Sequence, residues 1–173
     1  MKLVIPFILL CLVGCKEISF QQPQPKGIRA LTNIPVDLRG KYLLVDPNSP
    51  TPDTLFVETE GYRVGHNPKE KNVLGDSIVL KSYKGYYFLN INGNPEWFLR
   101  VIKQDNHGDL MYMSLEQEQN DFGNFIKKLS TVINVDSVQL KDEKLYQIDP
   151  TPKQLLALID KGYFKKITLK KIH

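Results

Sequence analysis

Apolar and polar residues alternate in short runs over most of the chain, and turn residues separate the runs. Lys41–Asp46 carries Tyr42, Leu43, Leu44 and Val45, and a Pro-rich loop over 47–53 leads from it into Thr54–Glu58. Tyr62-Arg63-Val64 follows a turn at Gly61. Asp76–Tyr83 and Tyr86–Asn92 are separated by Lys84-Gly85 alone, a two-residue hairpin link. Asn92-Gly93-Asn94-Pro95 turns the chain into Glu96–Gln104, and Asp105-Asn106-His107-Gly108 turns it into Asp109–Leu115. Links this short join antiparallel strands, because parallel neighbours need a crossover of about a dozen residues or more.

The two faces of these strands differ in composition. In Glu96–Gln104, Trp97, Leu99 and Val101 point one way, and Phe98, Arg100 and Ile102 the other. In Tyr86–Ile91, Tyr86 and Phe88 oppose Tyr87, Leu89 and Ile91. Apolar residues on both faces predict central strands with a second layer, or a barrel whose outer side is partly covered.

After the meander the apolar period lengthens. Phe122, Phe125, Ile126, Leu129, Val132 and Ile133 fall at helical spacing, with acids before them and Lys127-Lys128 later, as the helix dipole prefers. Gly123 and the β-branched run Thr131-Val132-Ile133 weaken that helix. A second helix has better punctuation: Thr151 as N-cap, Pro152 at the first position, Gln154 completing a capping box and Gly162 closing the end. Leu155, Leu156, Leu158 and Ile159 form its stripe. Asp136–Lys141 and Lys144–Asp149 read as a further hairpin, and Lys165–Ile172 as a final strand. The expected fold class is mainly β with one or two short helices (α+β), an antiparallel meander forming a barrel or a two-layer sandwich.

The N-terminus follows different rules. Lys2 precedes an apolar run, Leu3 to Leu12, and Leu12-Val13-Gly14-Cys15 follows. That run is too short to span hydrocarbon, which takes roughly 20 residues, and Pro6 would interrupt a long helix. Leu at −3, Gly at −1 and Cys at +1 resemble a bacterial lipoprotein signal peptide with its lipobox. The resemblance implies cleavage before Cys15, lipid on that cysteine and a membrane-tethered mature chain. An ordinary secretory signal is the rival reading, and it needs no cysteine at the boundary.

Cys11 would leave with the leader, so Cys15 alone remains and no disulfide or cysteine metal cluster forms within the mature chain. No Asp follows Cys15; Lys16-Glu17 is loosely similar to the export signals of Bacteroidota surface lipoproteins. The expected location is the cell envelope, on the outer membrane at its periplasmic or surface face. Residues 16–35 carry Gln21, Gln22, Pro23, Gln24, Pro25, Gly27 and Pro35, a composition that favours an extended, solvated tether. The alternative is an N-terminal arm in which Ile28 and Leu31 pack on the domain. The expected division is therefore a leader over 1–14, a lipidated cysteine and tether over 15–37, and one β-rich domain over 38–173.

Leu38-Arg39-Gly40-Lys41-Tyr42 is similar to the Gly-x-Trp opening of the lipocalin (calycin) family, with Tyr42 in place of the tryptophan. The late helix and closing strand also resemble that plan, and the stretch at 120–133 departs from it. More broadly, the lipobox, Gln-Pro stretch and β-rich body resemble small outer-membrane lipoproteins of Bacteroidota. That architecture implies no activity.

Catalytic chemistry needs convergent groups, and few are visible. His66, His107 and His173 have no ligand-spaced partner on one helix, and no catalytic or zinc motif occurs. Asp105 and Asp109 flank His107 in what is good turn chemistry, whereas a calcium loop requires further acids and a distal Glu. No catalytic residue, no metal site and no cofactor beyond the covalent lipid at Cys15 is expected.

Tyr83, Tyr86, Tyr87, Phe88, Trp97, Phe98 and Tyr112 cluster within the meander. Ordinary core packing and cross-strand pairing account for such a cluster. As a pocket lining, the candidate ligand-binding residues are Tyr86, Phe88, Trp97 and Tyr112, with Trp97 deepest. Lys161, Lys165, Lys166, Lys170 and Lys171 either touch anionic headgroups or protect a terminal edge strand from pairing, the commoner use. The formal charge of +4 drops by one with Lys2 and makes no case for nucleic acid.

The sequence thus puts first a non-enzymatic membrane-anchored lipoprotein whose domain binds a partner protein or envelope component. A lipocalin-like binder or carrier of a small apolar ligand comes second, and an envelope hydrolase third.

Overall fold

The computed structural model of the protein describes residues 15–45, 51–140 and 143–172. The expected leader 1–14, the middle of the Pro-rich loop at 46–50, the hairpin tip at 141–142 and His173 lie outside the described residues. Strand β1 (Cys15–Ser19) comes first, and a 3-10 turn at Val36–Leu38 leads into β2 (Gly40–Leu44). There follow β3 (Asp53–Val57), β4 (Gly61–Val64), β5 (Asn72–Val73), β6 (Ile78–Tyr83), β7 (Tyr86–Asn92), β8 (Trp97–Gln104) and β9 (Leu110–Ser114). Next are β10 (Glu116–Glu118), α1 (Gln119–Ser130), β11 (Asp136–Leu140), β12 (Glu143–Gln147), α2 (Pro152–Asp160) and β13 (Lys165–Ile172).

The meander is present as expected. Lys84 (φ 51°) and Gly85 (φ 79°) both take the left-handed region that a two-residue hairpin of matching twist requires. Thr151 caps α2 by the full capping box. Helix α1 ends at Ser130, before Thr131-Val132-Ile133, whose branched side chains crowd the preceding helical turn.

Nine strands form one antiparallel sheet in the order β5-β4-β3-β2-β13-β9-β8-β7-β6, curled into a nearly closed barrel. Parity explains why closure stays incomplete. Each antiparallel pairing reverses direction, so the eight pairings leave β5 and β6 running the same way. Residues 74–77 alone link these two, far too few for the crossover a parallel pair demands.

The N-terminal arm bridges the seam instead. Ala30 pairs with Lys81 at the free edge of β6, the Leu31 N–H donates to the Leu80 carbonyl (2.8 Å), and the Ile34 N–H donates to the Thr59 carbonyl (2.8 Å).

The solvated-tether expectation is therefore corrected. Ile18, Phe20, Gln24 and Ile34 are all buried, and β1 sits inside a second sheet ordered β10-β1-β12-β11. A Pro-rich stretch can be buried because proline has no N–H to satisfy; its carbonyls still need donors. Lys81 Nζ donates to the carbonyls of Pro23 (2.7 Å) and Pro25 (3.0 Å). The Asn90 amide takes both backbone groups of Gln24, accepting from its N–H (2.6 Å) and donating to its carbonyl (2.8 Å). Composition hid these partners because they come from strands more than 50 residues away.

Two cores result, one on each side of the β7–β9 wall. Outside it, Phe88, Leu99, Val101 and Met113 pack against Ile18 of β1, Phe20 just after it, and Phe122, Leu129, Leu155 and Leu158 of the helices. Inside it, Leu80, Leu89, Leu110 and Leu169 meet Ile34, Leu38, Tyr42, Leu44 and Leu55. This is the second layer that two apolar faces predicted. Tyr42 is fully buried, and its hydroxyl donates to the Leu38 carbonyl (2.9 Å).

The lysine-bearing last strand is a sheet edge only over its first half, Lys165–Leu169, which pairs with β9 alone. β13 lies between β9 and β2, and Lys170 pairs with the otherwise buried Asp109 (2.6 Å).

Candidate functional site

Register determines which side chains enter the barrel. Across β7, β8, β9 and β13 one row reads Leu89, Arg100, Ser114, Lys165, and the next reads Tyr87, Ile102, Tyr112, Ile167. All of these but Tyr87 and Ser114 line a cavity of about 270 Å³, together with Leu38, Leu44, Leu55, Val57, Leu80 and Ile91. Its wall is mostly aliphatic; Tyr62, Arg100, Tyr112 and Glu116 come together at one end, and Lys165 and Thr168 of β13 add polar groups to the lining.

The cavity reaches solvent through a split in the sheet. β13 pairs with β2 over Lys170–Ile172 only, so its 165–169 half has a ladder on the β9 side alone. Val45 and Ile167, which line the cavity at this split, are 64% and 44% exposed.

The polar end is built around Arg100. Its side chain is 3% exposed, and it is held by Glu17 of β1. Arg100 Nη1 donates to Glu17 Oε1, Nη2 donates to Glu17 Oε2 (3.0 Å), and Nη1 also donates to the Leu99 carbonyl (3.1 Å). A guanidinium donating to both oxygens of one carboxyl group is the geometry of an ionised pair.

Burial opposes the Arg100 charge, but Tyr112, Glu17 and Glu116 outweigh it and hold the guanidinium above its ordinary value. Burial also pushes the Glu17 carboxyl upward, against the pull of Arg100. Burial raises the Tyr112 phenol, and pushes that of Tyr62 up to about 12. Both phenols therefore stay protonated at neutral pH and act as donors and acceptors.

Of the four aromatic candidates, one lines this cavity. Tyr112 does; Tyr86, Phe88 and Trp97 belong to the outer core. The shared faces read for Tyr86 with Phe88 and for Trp97 with Leu99 and Val101 hold, but the sequence did not say which side was hollow. Trp97 is not the deepest residue: it opens β8, where its N–H and carbonyl pair with Phe20 (2.9 and 2.8 Å), and it stays partly exposed while Phe88 is fully buried.

Sequence reasoning missed Arg100, Glu17, Tyr62 and Glu116 as site residues. Arg100 did leave a signal, a lone charge between Phe98 and Ile102 on an otherwise apolar face. Glu17 left none, because its partner is 83 residues away.

Cys15 begins β1 opposite Glu118. The Asp105 carboxylate accepts from the N–H groups of His107 (2.8 Å) and Asp109 (3.0 Å), which closes the turn. Among the described residues no three His, Cys, Asp or Glu side chains converge as a metal site would require.

Fold and cavity together define a β-barrel with a covered outer face and an apolar interior that is charged at one end. No family model, curated protein or solved structure matches the chain at a significant level.

Proposed function

We propose that the domain binds a small, mostly aliphatic molecule inside the barrel and serves as its carrier. The cavity of about 270 Å³ carries this reading. It is nearly twice the roughly 150 Å³ of an engineered apolar cavity that binds benzene, which suits a ligand of about a dozen non-hydrogen atoms. It also lies close to the lower bound, roughly 300 Å³, of small-molecule sites in general. The shared plan of meander, late helix and returning strand agrees with the lipocalin resemblance, although a lipocalin barrel has about eight strands rather than nine.

A neutral solvatochromic dye, an aminonaphthyl ketone, tests the proposal. The expected result is a blue shift on mixing, reversed by 1-decanol. Leu89→Trp fills the cavity with an indole and is expected to weaken dye binding by about tenfold or more. In the natural chain, decanol leaves the emission of Trp97 unchanged, because that residue lies on the other side of the wall. No blue shift at any dye concentration would refute the carrier.

Partner binding, which the sequence put first, stands second. The apolar rim at Val45 and Ile167 beside the half of β13 without a β2 ladder is what supports it.

The lipid anchor belongs to the same proposal: Cys15 carries the lipid and holds the domain on the outer membrane. β1 starts at Cys15, so the barrel would sit directly on the bilayer with no spacer. Among the described residues no helix is long and apolar enough to cross a membrane. Cys15→Ala is expected to abolish incorporation of labelled fatty acid and release the protein from the membrane fraction. Undiminished labelling of that variant would remove the anchor from the proposal.

A further inference from the structure

The polar end of the cavity carries more information than its size. A buried arginine in an apolar cavity suggests an acidic ligand, yet the partners of Arg100 argue against one. Glu17 already takes it through both carboxylate oxygens, and the Leu99 carbonyl takes a further hydrogen bond. Glu116 lines the same cavity and makes no hydrogen bond or ion pair among the described residues. One guanidinium thus faces two carboxylates, and Lys165, in the same row as Arg100, adds a cation only at the exposed mouth of the cavity. Resting on the carrier reading above, we infer that the ligand's head is an uncharged alcohol, held by Tyr62, Tyr112 and Glu116, and that the site rejects free carboxylates.

The physical argument is one of desolvation. A ligand carboxylate brought to this end loses its water and meets no buried cation that lacks a partner, so it must either displace Glu17 or lie beside Glu116. Both cost free energy. A hydroxyl head donates to the Glu116 carboxylate and accepts from the Tyr62 phenol, so it replaces the water lost on entry with two hydrogen bonds. Lys165, the remaining cation of the lining, is exposed at the split, where water and salt screen its charge and weaken its pull on a carboxylate.

The test compares 1-decanol with decanoate at pH 8, each displacing the neutral dye from the full domain. The expected result is displacement by decanol at a concentration at least about tenfold lower, a difference of about 1.4 kcal/mol. Glu116→Gln removes the unpaired carboxylate and is expected to narrow that ratio by strengthening decanoate binding. Glu17→Gln frees Arg100 and is expected to invert the ratio. If Glu17→Gln does not fold, Glu116→Gln alone decides.

Equal or tighter binding of decanoate by the natural chain would overturn the alcohol head while leaving the carrier intact. So would a ratio that neither variant moves. Failure of the dye and both ligands to bind would remove the carrier itself, and this inference with it.

Discussion

A chain that begins at Val36 does not fold. The arm it lacks buries Ile18, Phe20 and Ile34, which are 0%, 1% and 4% exposed. Each such side chain contributes about 1.5–3 kcal/mol on burial, so their joint loss approaches the whole stability of an ordinary domain, about 5–15 kcal/mol. The truncation also reopens the β5/β6 seam and removes Glu17 from Arg100. Far-UV circular dichroism through a urea titration is the measurement, and the expected trace has no cooperative transition. A spacer could be deleted without effect, so an unchanged urea midpoint would restore the tether.

Glu17→Ala is expected to lower the unfolding free energy by about 3–5 kcal/mol, because it leaves the buried Arg100 charge without its partner. The same substitution combined with Arg100→Met is expected to recover most of that loss. The double variant has no buried charge left to satisfy, and an apolar pair in its place is close to neutral. Urea unfolding of the two single variants and the double variant gives the coupling. A double variant no more stable than Glu17→Ala would mean that Arg100 is not held at the cost of an unpaired charge. The loss is large because both groups are out of water; an exposed pair of the same geometry contributes under about 1 kcal/mol.

Much of the barrel was legible before any coordinates. The alternation of Trp97, Leu99, Val101 against Phe98, Arg100, Ile102 correctly separated the outer core from the barrel interior, because side chains in a strand point to opposite faces by covalent geometry. Lys84-Gly85 marked a hairpin, and Thr151-Pro152 with Gln154 marked the start of α2, because such turns and caps are local chemistry. The cavity was less legible. Tyr112 was nominated, but Tyr86, Phe88 and Trp97 were nominated with it, and they face the helices. Nothing in an apolar face says whether another layer fills it or leaves it hollow.

The sequence by itself determined the strands of the meander, their antiparallel succession, the start of α2 and the two-sided burial of β7 and β8. Those features depend on neighbours a few residues apart. The tertiary structure decided the rest. It turned the Gln-Pro stretch from a spacer into a seam-bridging arm, set β13 between β9 and β2, and brought Glu17 to Arg100. Each depends on partners tens of residues distant, and on the parity of nine strands, which no local pattern encodes.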